Sequence, residues 1–184
     1  MSYYTIPHFL IQPLRTPLLA IAIPVVLGTL SGVPTSKVVK GSWYKALYEP
    51  PFTPPRLAFP IVWPLLYSAM GYTSHLAVKI HDTSLSPRTK SLAYRGLQLY
   101  WAQLALNFAW TGLFFGAKKK LVALADIASL TGLTYAMTID LHEATHGATT
   151  WFLAPYCAWL TYATYLNTGY WYLNRNRTDL KKLE

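Results

Sequence analysis

The residues most easily connected with chemistry are His142, Glu143 and His146, which spell an HExxH motif. In zinc hydrolases, two histidines one helical turn apart bind the metal and the glutamate activates water. Here the motif occupies a short acidic connection between two apolar segments, with no cysteine nearby and no histidine further downstream to complete a metal site. We therefore predict no metal site and no catalytic residues at this motif.

Tryptophans offer a second kind of chemistry. Trp63, Trp110 and Trp159 each fall in a different long segment without charges, and Asn107 lies one helical turn before Trp110. Indole faces stack on flat ligands, and the indole N–H can donate to a carbonyl or carboxylate. These side chains favour a cavity for a large, flat, apolar ligand. The alternative for each tryptophan is simple packing.

The segments that position these residues follow from the gaps between charges. Uncharged stretches cover residues 16–36, 57–78, 96–117, 121–139 (interrupted by Asp126) and 148–174. About 20 helical residues cross a hydrocarbon core of about 30 Å. Hydrophobic residues make up 53% of the chain and charged residues only 12%. The sequence predicts an all-α fold, a bundle of five transmembrane helices forming a single domain over residues 1–184, without a cleavable targeting peptide.

Two other protein classes fit the composition less well. The net charge of +9 could suggest a nucleic-acid partner, but the basic residues form short clusters between apolar segments, which is typical of membrane proteins. A soluble bundle needs a broad polar face on each helix. Between Trp101 and Phe115 the only polar side chains are Gln103, Asn107 and Thr111, which form one narrow stripe. We therefore expect a lipid bilayer and no nucleic acid as partner.

The distribution of basic residues predicts the orientation. With five spans, eleven lysines and arginines lie on the side of the C-terminus, Lys181 and Lys182 among them, and five lie on the other side. The positive-inside rule then places the C-terminus in the cytosol.

The connection between the first two segments, residues 37–56, combines four prolines with four aromatic residues. Proline fixes φ and removes backbone donors, so this connection is expected to be stiff. It is interpreted as a lid over one mouth of the bundle; the alternative is an aromatic belt at the level of the lipid headgroups.

Beyond these patterns, the sequence resembles the TspO/translocator protein family, also called tryptophan-rich sensory protein or peripheral benzodiazepine receptor, over roughly residues 20 to 175. The resemblance is carried by the following residues: Trp43-Tyr44, Leu47, Pro50, Pro54-Pro55, Phe59, Trp63, Leu66-Tyr67, Gly71, Gln103 to Asn107, Ala109-Trp110, Phe114 to Ala117, Asp126, Pro155-Tyr156, Ala158 to Leu160 and Leu166-Asn167.

The resemblance implies a five-helix bundle with a ligand pocket below the lid. It implies binding of porphyrins such as protoporphyrin IX and of related hydrophobic molecules, including sterols, for transport, sensing or turnover. The porphyrin is then a ligand, and no resident cofactor is expected. The alternatives are an enzyme that degrades porphyrin photochemically and a small-molecule transporter.

By the same resemblance, residues can be assigned to ligand binding, with Trp63 and Trp159 foremost. The assigned residues are Trp43, Tyr44, Trp63, Asn107, Trp110, Trp159, Ala163 and Leu166. Phe52 and Val122 stand where animal members carry tryptophan, which puts affinity for the synthetic drugs of this family in question.

Two further features, the sterol pattern and Asp126, leave alternatives open. Leu166, Tyr170 and Arg175 fit a proposed sterol pattern, but a helix end at the interface produces the same residues without a sterol. Asp126 is interpreted as a hydrogen-bonding residue, with an ion relay as the alternative.

The GxxxG of Gly112 and Gly116, continued by Ala105 and Ala109, predicts close packing of the third helix. Its partner is either a second copy, giving a homodimer as the family resemblance implies, or a neighbouring helix of the same chain. The resemblance also implies the mitochondrial outer membrane, with the endoplasmic reticulum as the alternative.

Overall fold

The structure is a computed structural model that describes residues 6–180, so Lys181 and Lys182 lie outside the described residues. The described part is all-helical. Its long helices are α1 (Pro17–Gly32), α2 (Ala58–Thr83), α3 (Pro87–Thr111), α4 (Lys120–Ala144) and α5 (Thr150–Asn174). Shorter helical pieces are His8–Ile11, Gln12–Arg15, Thr35–Lys40, Ser42–Lys45 and a π-helical turn, Gly112–Gly116.

Each long helix contains most of one uncharged segment, but the boundaries differ from those predicted. The helix α2 continues to Thr83 and α3 begins at Pro87, beyond the charges that were used to mark the segment ends. Charged residues are compatible with helical backbone outside a hydrocarbon core, so gaps between charges locate the apolar part of a helix and not its ends.

Two helical segments, Pro17–Lys40 and Lys120–Ala144, combine the length and the mean hydropathy of a membrane-crossing helix. The helix α5 is as long, but its many tyrosines and threonines lower its hydropathy. The main packing contacts join α3 with α4, α1 with α2, α4 with α5 and α2 with α3, and α2 also touches α5. The main apolar core lies between these helices, and a second, smaller core lies under the α1–α2 connection.

Candidate ligand-binding site

The connection between α1 and α2 is docked along one side of α5 by its second part, residues 42–56, which we call the loop. Tyr162 Oη donates to the carbonyl of Phe52 at 2.6 Å, and Tyr165 Oη donates to the carbonyl of Pro51 at 3.0 Å. Proline-rich backbone has free carbonyls and few N–H groups, so tyrosine hydroxyls are suitable partners for it. The connection that was interpreted as a lid is therefore bound to α5 by two tyrosines.

Further along α5 the loop comes closer to the helix. A Cβ atom on Gly169 would lie 2.4 Å from Pro50 Cβ, so only glycine allows this approach. Asn174 then binds both backbone groups of Tyr48: its Oδ1 accepts from the N–H at 2.9 Å and its Nδ2 donates to the carbonyl at 3.0 Å. Past the helix end, Arg177 donates to the carbonyl of Ala46. The loop is thus held from Ala46 to Phe52.

The two loop aromatics assigned to ligand binding are mostly packed inside. Trp43 is 3% exposed and lies edge-on to Phe114, with ring centroids 6.3 Å apart. Tyr44 Oη lies 3.1 Å from Tyr170 Oη, and burial is the main cause that raises the pKa of Tyr44. Trp43 therefore anchors the loop, whereas Tyr44 also reaches the cavity below it.

A cavity of about 320 Å³ lies under the loop. Its lining residues are Tyr44, Glu49, Thr53, Pro54, Pro55, Arg56 and Phe59. We call it the loop cavity. It contains one carboxylate and one guanidinium, and the Arg56 guanidinium lies 5.7 Å from the centroid of the Tyr44 ring. The loop cavity is therefore suited to a polar or charged part of a ligand.

A second cavity of about 540 Å³ lies between α2 and α5 and opens outward. Its lining residues are Val62, Leu65, Leu66, Pro155, Ala158, Trp159 and Tyr162. We call it the α2/α5 groove. Nearly all of its surface is apolar. The rings of Phe59, from the loop cavity, and Trp159, from the groove, meet edge-to-face with centroids 5.8 Å apart. One polar and one apolar compartment thus adjoin at this aromatic pair.

The three tryptophans do not all line either of these two cavities. Of the three, only Trp159 lines the groove, and its Nε1 is buried without a hydrogen-bond partner among the described residues. Trp63 packs on Tyr67 at 5.5 Å. Trp110 stacks on Phe114 at 5.2 Å and donates from Nε1 to Asn167 Oδ1 at 2.9 Å.

Asn107 belongs to a buried polar network between α2, α3 and α5. Tyr67 Oη donates to Asn107 Oδ1 at 2.6 Å, and Asn107 Nδ2 donates to Tyr156 Oη at 3.2 Å. Tyr156 in turn donates to Gln103 at 2.7 Å. Both the oxygen and the nitrogen of the Asn107 amide therefore have protein partners. The amide that was expected to contact a ligand instead joins α3 to α2 and to α5.

The remaining assigned residues lie on α5. Ala163 is half-buried against the main core, and Leu166 is buried. The three residues of the sterol pattern do not share a face: Tyr170 is 5% exposed and bound to Tyr44, whereas Arg175 is exposed, with its guanidinium 4.0 Å from the Tyr172 ring centroid. The pattern is therefore not presented to lipid as a unit.

A sequence profile of the TspO/MBR family matches residues 20–173, which is most of the chain. The chain belongs to the TspO/MBR family. It is 45% identical to a translocator protein homolog of Schizosaccharomyces pombe over 71% of this chain and 77% of that protein. It is 37% identical to the translocator protein of Bos taurus, over 85% and 91% of the two chains. It is 32% identical to a tryptophan-rich sensory protein of Cereibacter sphaeroides, over 76% and 81%.

TspO/MBR proteins are integral membrane proteins, and the two apolar helical segments agree with this. Within this TspO/MBR chain the sequence did not single out Glu49, Arg56, Tyr162 or Pro155 as site residues. Arg56 had been considered only as the last residue of the connection at residues 37–56 and as one of the basic residues that predict the orientation. A proline-rich connection that is short of N–H donors is a signal that would have suggested tyrosine donors on a facing helix.

The HExxH residues of this TspO/MBR chain lie across a helix end and not along one helix. The helix α4 ends at Ala144, and His146 has a positive φ of 51°. Glu143 pairs with Arg88 at 2.6 Å, and His142 Nδ1 lies 2.7 Å from Thr150 Oγ1. The two histidines are therefore not held one helical turn apart, as the zinc-hydrolase arrangement requires.

Asp126 lies on α4, and its interpretation as a hydrogen-bonding residue stays a prediction. Its Oδ2 is buried and has no hydrogen-bond partner among residues 6–180.

Proposed function

We propose that this chain binds porphyrins and related hydrophobic molecules, sterols included, at the loop cavity and the α2/α5 groove. The observation that carries the proposal is the contact between Phe59 and Trp159, which joins a charged compartment to an apolar one. A porphyrin has a flat apolar body and an edge with carboxylates. Its body fits the groove against Trp159, and its carboxylates fit near Arg56.

The proposal includes five membrane spans. The helices α2 to α5 have 25 or 26 residues each, a length of about 38 Å, which exceeds a hydrocarbon core of about 30 Å. The excess of basic residues on the side of the loop favours a cytosolic C-terminus. The mitochondrial outer membrane is the proposed location. Cell fractionation tests it, because the alternative location predicts that the protein is recovered with endoplasmic reticulum markers instead.

Titration of the purified protein with protoporphyrin IX in the dark, read by porphyrin fluorescence, tests the binding proposal. Trp159→Phe is expected to weaken binding about three- to tenfold, the value of one aromatic contact. The double variant Trp63→Phe, Trp159→Phe is expected to lose no more, because Trp63 packs on Tyr67. Trp151→Phe is the control, since Trp151 is 85% exposed at the start of α5 and does not line the groove.

Equal affinity of the wild type, Trp159→Phe and Ala158→Trp would contradict the site, because a tryptophan at exposed Ala158 fills the groove. The same samples under illumination measure the alternative enzymatic function as loss of porphyrin.

The proposal also includes a homodimer through α3 and the π-helical turn that follows it, Gly112–Gly116. A Cβ atom on Gly112 or Gly116 would meet nothing within 4 Å, and Ala105 and Ala109 are exposed. Packing inside one chain therefore does not account for this small-residue face. Gly112→Leu with Gly116→Leu is expected to convert dimers to monomers in cross-linking experiments in nanodiscs. Gly32→Leu, equally open but on α1, is expected to leave dimers intact; dimers that survive the α3 changes contradict this interface.

A further inference from the structure

The loop cavity contains two opposite charges that the protein leaves apart. Glu49 and Arg56 both line it, yet they do not belong to the ion pairs formed among residues 6–180. After burial and the hydrogen bond of Tyr170, their charges are the next causes that shift the pKa of Tyr44: Glu49 raises it and Arg56 lowers it. Both charges therefore act within the same small space.

A ligand with charge of one sign would satisfy only one of these residues. The carboxylates of a porphyrin bind at Arg56 against the repulsion of Glu49, and a purely cationic group at Glu49 binds against the repulsion of Arg56. A zwitterionic group satisfies both. The guanidinium forms a bidentate pair with a phosphate, and the carboxylate accepts hydrogen bonds from an ammonium.

The position of the two compartments along α2 adds a second constraint. Arg56 lies just before α2 begins at Ala58, and Phe59, Val62 and Leu66 follow one face of the helix inward for about 10 Å. The groove opens outward beside Leu65, which is 66% exposed. A molecule in this site thus has its charged part at the helix end and its apolar part along the helix, open to acyl chains.

We infer that the loop cavity and the α2/α5 groove together bind one zwitterionic glycerophospholipid of the surrounding bilayer. Its phosphate lies at Arg56, its amine lies toward Glu49, and one acyl chain follows the groove past Trp159. The inference rests on the site of the proposed function, and it implies that a porphyrin must displace this lipid in order to bind.

The full-length protein in nanodiscs of equal parts phosphatidylethanolamine and phosphatidylglycerol provides the test, with retained lipids counted by native mass spectrometry. The wild type is expected to retain phosphatidylethanolamine about tenfold over phosphatidylglycerol. Glu49→Gln is expected to abolish this preference because it removes the repulsion of an anionic headgroup. Arg56→Gln is expected to lose both lipids. Ala158→Trp is expected to release the lipid by filling the groove.

The matched control is Lys45→Gln, since Lys45 is exposed in the same loop and does not line the cavity. Circular dichroism verifies the helical content of each variant. Equal retention of the two lipids by the wild type, or an unchanged preference in Glu49→Gln, would overturn the inference. Porphyrin titration of the same samples separates the two proposals. If porphyrin binding depends on Trp159 but the protein shows no lipid preference, the lipid inference fails and the proposed function holds. If the protein prefers phosphatidylethanolamine but does not bind porphyrin, the proposed function fails and the lipid inference holds.

Discussion

The two ends of the helix bundle are held together by different interactions. At the end away from the loop, arginines pair with acids between elements: Arg15 with Asp82, Arg88 with Glu143 and Arg95 with Asp140. At the loop end, tyrosine hydroxyls, the Asn174 amide and a glycine–proline contact hold the loop on α5. The charges of Glu49 and Arg56 take no part in this docking.

The difference shows how one end can be fixed while the other keeps charged groups for a ligand. Ion pairs join neighbouring helix ends from α1 to α4. Hydrogen bonds from Tyr162, Tyr165, Asn174 and Arg177 to loop carbonyls position the loop without using the loop's own charged side chains. The loop end thus combines a defined shape with unpaired charge, which is the combination that a binding site for a charged amphiphile requires.

The largest effect is expected from two glycine changes that compare the ends directly. In Gly169→Ala the new Cβ meets the rigid ring of Pro50 at 2.4 Å, and in Gly96→Ala it meets the flexible end of Leu141 at 2.3 Å. Gly169→Ala is expected to weaken loop docking by about 1–3 kcal/mol, seen as faster hydrogen exchange from Leu47 to Phe52. Gly96→Ala is expected to cost less, because the leucine can move. Equal effects on both ends would show that the loop is not seated against Gly169.

A smaller effect is expected from Asn174→Ala, which removes both hydrogen bonds to the backbone of Tyr48. The free energy of loop docking should fall by about 1 kcal/mol per hydrogen bond at most, so loop amides should exchange several-fold faster. Porphyrin should also dissociate faster, while the helical content stays nearly unchanged. Asn176→Ala, exposed two residues later, is the control. Unchanged loop exchange in Asn174→Ala contradicts the role of this amide.

The smallest effect concerns pH at the end away from the loop. The hydrogen bond from Arg15 is the main cause that lowers the pKa of Asp82 below its ordinary 3.8. A depressed pKa gives stability that is present above the ordinary value and is lost as the pH falls through the folded-state value. Asp82→Asn should therefore lower Tm by no more than about 2 °C at pH 6, because both side chains are partly exposed. The difference from wild type should vanish toward pH 3; a constant difference would exclude the ion pair as its cause.

The sequence predicted the all-helical fold, the family and the existence of a structured loop, because these follow from local composition and motif order. It did not predict that the loop docks on α5, since the contacts from Tyr162 to Phe52 and from Asn174 to Tyr48 join residues more than a hundred positions apart. Such contacts leave no local periodicity.

The directions in which the tryptophans and the sterol-pattern residues point could not be read from the patterns used, for a related reason. A helix without a broad polar face gives little signal for its rotation, so Trp63, Trp110 and Trp159 could be placed at a depth but not toward a common point. For the sterol pattern, helix geometry already indicates that the residues do not share a face, because Arg175 follows Leu166 by nine residues, about 180° around a helix. Leu166 and Tyr170 therefore face inward while Arg175 faces outward.

The central claim is that the ligand lies against Trp159 in the α2/α5 groove. Fluorine NMR of the protein labelled with fluorotryptophan tests it directly, with each resonance assigned by a Trp→Phe variant. On addition of protoporphyrin IX, the resonance of Trp159 is expected to shift most. The resonance of Trp151, which lies about two turns earlier at the start of α5 and does not line the groove, is expected to stay in place. A shift of Trp151 or Trp101 with Trp159 unchanged would contradict the account.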